Sequence, residues 1–177
     1  MKILIIDDKQ ENLDAAKKQL AGHELTTASS YDEAEKYLAA NLCSDRNYGR
    51  WRKNSEIDYI ESKFDVILTD LFLPASTNAV VGVKFSDEVP YGTVLALAAL
   101  RLGIPVAIVT TGGHHANSFM WSLDLLDLQS RDDEFNPCLV GNTRFLCFNS
   151  GTRVEDGKGG YVIVKDWDQA LERLLRK

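Results

Sequence analysis

The chain has 177 residues, 45% hydrophobic and 26% charged, with 20 Lys and Arg against 26 Asp and Glu, a formal charge of −6. That length fits one domain able to bury its own core. The acidic balance excludes the basic surface that a general nucleic-acid or anionic-membrane binder needs. An odd set of cysteines (Cys43, Cys138, Cys147) with no CxxC pair fits no disulfide framework, and a reducing cytoplasm is the expected setting.

Residues 3–6 are a continuous apolar run, the pattern of a strand covered on both faces. The run is too short for a secretory leader and ends in acid. Residues 12–20 place Leu13, Ala16 and Leu20 on one helical face, with Gly22 as the stop. A short strand at 25–28 follows. Ser30-x-x-Glu33 then forms a capping box for a helix to about residue 40, with Ala34, Tyr37 and Leu38 inward. Residues 64–68 are a second buried strand, leading into Thr69, Asp70 and Pro74. A helix over 93–102 closes at Gly103, and 106–109 form a third buried strand. Arg101, Gly103 and Pro105 interrupt the apolar stretch 94–110, which excludes a membrane span there. Beyond it, 118–128 read as a helix, 144–148 as an extra strand and 161–164 as the last apolar strand. Asp166 or Asp168 caps a final helix that turns Leu171, Leu174 and Leu175 inward.

Strand alternates with helix, and the strands are short and almost wholly apolar. A parallel sheet with helices on both faces satisfies that pattern. Ligands of such sheets collect beyond the carboxyl ends of the strands, so the residues to watch are Asp7, Asp8, Asp70, Thr110 and Lys165. Two segments break the rhythm. One is 41–62, with Arg46, Arg50, Arg52 and Lys53 around Trp51, read as a solvated excursion. The other is the polar stretch within 129–160. Gly112-Gly113-His114-His115 has neither phosphate-loop nor metal-ligand spacing and reads as a loop.

Three carboxylates at the ends of neighbouring buried strands repel one another and are costly to desolvate unless a cation compensates. Hard oxygen ligands with room for water favour Mg²⁺ over zinc. Adding Lys165 and Thr110 completes a set able to accept a phosphoryl group: a nucleophilic carboxylate, a cation, a lysine and a hydroxyl donor.

The segments ILIIDD at 3–8, VILTDLFLP at 66–74, PVAIVT at 105–110 and YVIVK at 161–165 together resemble the receiver domain of bacterial response regulators, over nearly the whole chain. The resemblance implies a single domain over 1–177. Its fold would be α/β and flavodoxin-like, a doubly wound five-stranded parallel sheet in the order 2-1-3-4-5. Insertions would fall before strand 3 and between strands 4 and 5. It implies that Asp70 takes the phosphoryl group and that Asp7, Asp8, Asp70 and the backbone carbonyl of Phe72 hold Mg²⁺. Thr110 becomes the switch hydroxyl and Lys165 the partner of the phosphoryl group. The implied donor is a histidine kinase or a histidine phosphotransfer protein, and output passes through protein contacts, since no further module is expected after the final helix. No enzymatic turnover beyond self-catalysed transfer is expected. A phosphohydrolase of the haloacid dehalogenase type needs a second Asp where Phe72 stands.

The chain departs from the family pattern in places. Asp166 follows Lys165 where proline is usual, which would bring another negative charge to the site. Val162 takes the place of the switch aromatic, with Tyr161 one residue earlier. Thr110 and Lys165 are 55 positions apart. Phe72 is expected to slow hydrolysis of the phosphoryl group. The alternative reading is a receiver-like interaction domain that signals without phosphorylation.

Overall fold

The computed structural model of the chain describes residues 1–43, 64–75, 88–111, 137–155, 157 and 159–176. The first half is built from β1 (Lys2–Ile6), α1 (Gln10–Gln19), β2 (Glu24–Ala28), α2 (Tyr31–Cys43) and β3 (Val66–Thr69). A two-residue pairing of β4 (Leu73–Pro74) with β5 (Glu88–Val89) precedes α3 (Tyr91–Arg101) and β6 (Val106–Thr110). Then come β7 (Cys138–Val140), β8 (Thr143–Asn149), β9 (Gly151–Glu155), β10 (Tyr161–Lys165) and α4 (Trp167–Leu175).

The main sheet runs β2-β1-β3-β6-β8-β7. Its first five strands are parallel, and β7 adds an antiparallel edge to β8. In order of appearance the parallel strands lie 2-1-3-4-5, the flavodoxin-like arrangement. Alternate side chains explain why both faces are covered. Leu4, Ile6, Ile67, Ile108 and Phe145 pack toward α2 and α3. Ile3, Ile5, Leu68, Val109 and Phe148 pack toward α1 and α4, where Trp167 is fully buried. Strands buried on both sides must be apolar throughout, which is why β1, β3 and β6 stand out in the sequence.

One strand differs from expectation. The fifth strand of the sheet is Thr143–Asn149, inside the stretch read as inserted, and Tyr161–Lys165 instead pairs antiparallel with Gly151–Glu155 in a separate hairpin. Burial decides between the two apolar runs. Phe145, Leu146, Cys147 and Phe148 are all enclosed, whereas Tyr161, Val162 and Ile163 are exposed.

The local stops and starts follow their chemistry. The Glu33 N–H donates to Ser30 Oγ at 3.2 Å, and Glu33 Oε2 reaches back to the Ser29 N–H at 2.7 Å, a capping box shifted by one residue at its return bond. Gly103 ends α3 in the left-handed conformation, φ 72°. Asp166 caps α4, its Oδ1 accepting from the Gln169 N–H at 3.1 Å. No helix among the described residues is long and apolar enough to cross a membrane. The Arg46–Lys53 cluster with Trp51, the Gly112–His115 motif and the helix expected over 118–128 lie outside the described residues.

Candidate functional site

The carboxyl ends of β1 and β3 are neighbours, and the ladder between them continues one step further, with the Asp70 N–H donating to the Ile6 carbonyl at 2.7 Å. The Asp7 N–H bonds to the Ala28 carbonyl on the other side of β1 at 3.1 Å. These bonds fix two acids side by side just past the sheet. Asp7 is fully buried, Asp70 is 6% exposed and Asp8 is half-buried. One carboxylate oxygen from each lies within 4.8 Å of the others.

Lys165 joins them. Its Nζ is 2.5 Å from Asp7 Oδ2 and 2.7 Å from Asp70 Oδ1, and the side chain is 2% exposed. The Trp167 ring lies under the ammonium, 5.5 Å from Nζ to the ring centroid. Asp7 also accepts from Asn12 Nδ2 at 2.9 and 3.1 Å and from the Lys9 N–H at 2.9 Å. Asp70 Oδ1 accepts from the Leu71 N–H at 2.6 Å. Thr110 ends β6 beside them, 1% exposed, and its Oγ1 finds no hydrogen-bond partner among the described residues. A buried hydroxyl left unpaired costs free energy, so it marks a place where an oxygen acceptor would be welcome.

The sequence-selected residues Asp7, Asp8, Asp70 and Lys165 are therefore brought together, and Thr110 stands at the same edge. Phe72 is two residues past Asp70, with its side chain packed in the core beneath α3. Asp166 is engaged away from Lys165: besides capping α4 it accepts from Thr152 Oγ1 at 3.2 Å, so the feared extra charge is tied to the helix start. Tyr161 is 68% exposed on the hairpin and no part of the sheet.

Three contributors escaped sequence reasoning. Asn12 and Gln19 look like polar residues of a solvent-facing helix side. Gly92, in the first turn of α3, donates its N–H to the Leu71 carbonyl at 3.0 Å, and a Cβ there would sit 1.9 Å from the Asp70 carbonyl oxygen. Its sequence signal is a glycine where a helix former would otherwise serve better.

The electrostatics follow from burial and crowding. Burial pushes the Asp70 carboxyl up from 3.8 to about 6, with Asp7 adding to the rise and Lys165 opposing it. Asp8 is raised too, by burial and then by Asp7. Because folded Asp70 holds its proton more tightly than the unfolded chain, the metal-free protein gains stability as pH falls through about 6 toward 3.8. It loses that stability again as pH rises. The full shift is worth about 3 kcal/mol, of which about 1 kcal/mol develops between pH 7 and 5. Chemical denaturation at those two pH values checks this: the parent gains on acidification relative to Asp70→Asn, and equal responses would contradict the assignment.

Three carboxylates against one ammonium, all oxygen donors and no His or Cys, form a donor set that fits a hard divalent cation such as Mg²⁺. An acidic pocket beyond the carboxyl ends of a 2-1-3-4-5 parallel sheet defines a flavodoxin-like α/β protein with its site at the expected edge. No protein-family model matches the chain, and no curated protein does. Several similar solved structures are response regulator receiver domains. One is a receiver domain protein from Clostridium thermocellum, 23% identical, covering 70% of this chain and 75% of that one at a TM-score of 0.41. A CheY-like receiver domain protein from Methanospirillum hungatei is 23% identical over 70% of this chain and 73% of its own, TM-score 0.38. The receiver domain of the hybrid histidine kinase CckA is 16% identical over 83% and 84%, TM-score 0.37.

Proposed function

We propose that the chain is a receiver that accepts a phosphoryl group on Asp70 and signals through protein contacts. The observation that carries this reading is the buried Lys165 ammonium held between Asp7 and Asp70, with the Thr110 hydroxyl, unpaired among the described residues, at the same sheet edge.

In the transfer, an Asp70 carboxylate oxygen forms a bond to phosphorus as the bond from phosphorus to the donor's histidine nitrogen breaks, the nitrogen keeping the electron pair. Asp70 must be ionised to attack, and Lys165 favours that form while burial opposes it. As the phosphoryl group arrives, Lys165 neutralises one of its oxygens and Thr110 donates its hydroxyl to another. Asp7, Asp8, Asp70 and the carbonyl of Phe72 would hold Mg²⁺, which supplies positive charge to offset the incoming oxygens. The backbone from Ile6 to Asp7 and from Thr69 to Leu71 keeps these groups fixed, so little reorganisation accompanies the reaction.

The donor in this reading is a histidine kinase or a histidine phosphotransfer protein, and the recipient of the signal is another protein. The chemistry is a single self-catalysed transfer and not a turnover reaction. A cytoplasmic setting accords with a sequence whose three cysteines fit no disulfide framework. Intact-mass measurement after incubation with Mg²⁺ and a small acyl phosphate tests the proposal. One phosphoryl adduct on the parent and none on Asp70→Asn is the expected result. No adduct on a folded, Mg²⁺-binding parent would favour a phosphorylation-independent interaction domain.

A further inference from the structure

The cation of the pocket is carried by a strand that the main sheet does not hold. The fifth sheet strand, β8, stops at Asn149 opposite Thr110, and Lys165 is the last residue of the hairpin that follows. Along that hairpin β9 is exposed throughout, as are the first three residues of β10, and burial resumes only at Val164 and Lys165. Lys165 pairs with Gly151 in the hairpin ladder, but no strand of the main sheet borders it, so its other side is held by something else.

We propose that Gln19, acting with Asn12, is a positioning residue that clamps the Lys165 backbone and so aims its ammonium at Asp7 and Asp70. This rests on the receiver reading for its functional meaning. The two amides are seven residues apart on α1, two helical turns, and so share one face. The Lys165 N–H donates to Asn12 Oδ1 at 3.2 Å, while Asn12 Nδ2 donates to Asp7, tying the lysine backbone to the acid its ammonium pairs with. Gln19 Nε2 donates to the Lys165 carbonyl at 3.1 Å, and its Oε1 accepts from the Trp167 N–H at 2.7 Å. Trp167 closes the arrangement by donating Nε1–H to the Asn12 carbonyl at 2.9 Å.

The chemistry explains the residue type. Gln19 must donate to a carbonyl and accept from an N–H at once, which an amide does and neither a carboxylate nor an ammonium can do. Gln19→Glu therefore splits the clamp. It keeps the acceptor for Trp167, at the positive end of α4 where a carboxylate is favoured, and loses the donor to Lys165.

The test uses the full chain as parent, Gln19→Glu and Gln19→Leu. Reductive methylation is followed at Lys165 relative to the exposed Lys17 by peptide mass, beside phosphoryl uptake from an acyl phosphate and the thermal midpoint. In the parent Lys165 is protected. In both variants it is expected to be modified about tenfold faster relative to Lys17, and uptake to slow by about tenfold, as for loss of supporting contacts around a reactive group. Gln19→Glu does this with a smaller fall in thermal midpoint than Gln19→Leu, because it keeps the bond to Trp167, which separates positioning from general loosening and covers any failure of Gln19→Leu to fold. Unchanged protection of Lys165 in the folded variants would overturn the proposal. A parent that takes up no phosphoryl group, with Lys165 still unmasked by the variants, would sink the receiver reading and leave the clamp standing.

Discussion

Lys165→Met weakens the metal-free fold and strengthens divalent-cation binding. Lys165 is almost fully enclosed, and its Nζ lies between Asp7 Oδ2 and Asp70 Oδ1. Taking away one partner of a buried ion pair leaves uncompensated charge and costs about 3–5 kcal/mol. Asp70, already raised by burial to about 6, would lose the lysine that holds it down and rise further. A divalent cation then replaces the missing charge and no longer competes with an ammonium for the same oxygens. Denaturation with and without Mg²⁺ is expected to show the deficit closing as the ion is added, because binding to the native state alone adds stability. Phosphoryl uptake falls about 10²–10³-fold, the range for removing one group that stabilises developing charge. Equal Mg²⁺ affinity in parent and variant would contradict competition between the Lys165 ammonium and a divalent cation for the Asp7 and Asp70 oxygens.

Gly92→Ala is the second large effect, and helix propensity predicts its sign wrongly. In an exposed helix the change would gain up to about 1 kcal/mol. Here the new Cβ would lie 1.9 Å from the Asp70 carbonyl oxygen and 2.8 Å from the Leu71 Cα, backbone on both counts. Neither can swing aside, so α3 must move off the β3 end or Asp70 must shift. A loss of about 2–3 kcal/mol is expected, the range of overpacking in a filled interior, together with loss of phosphoryl uptake. Gly22→Ala is the control, since nothing lies within 4 Å of its added carbon. If Gly92→Ala matched that control in both stability and uptake, the close approach of α3 to Asp70 would be wrong.

The parts of the fold legible in the sequence are those where burial acts on both faces. Residues 3–6, 66–68 and 106–109 have no solvent-facing side, so the apolar run itself is the strand, and the polar residues beyond its end, Asp7, Asp70 and Thr110, are the candidate site. Caps were legible for a different reason: Ser30, Glu33 and Asp166 satisfy helix N–H groups within three or four residues, a purely local matter. The fifth strand was not legible that way. RFLCF at 144–148 and YVIV at 161–164 both suit a strand, and the lysine after the second made it look like the sheet's own. Only tertiary burial separates them. Asn12, Gln19 and Gly92 escaped because each acts on a residue remote in sequence, Asn12 on Lys165, Gln19 on Lys165 and Trp167, Gly92 on Asp70. Nothing local to a polar helix position announces such a partner.

Trapping an acyl phosphate on Asp70 is the most direct test of the proposed transfer. Protein treated with Mg²⁺ and an acyl phosphate is reduced with borohydride, which converts an activated aspartyl carbonyl to an alcohol, and the peptides are mapped by mass. Homoserine at position 70, and at neither Asp7 nor Asp8, is the predicted result. Reduction at another carboxylate, or none in a protein that carries the adduct, would contradict the account.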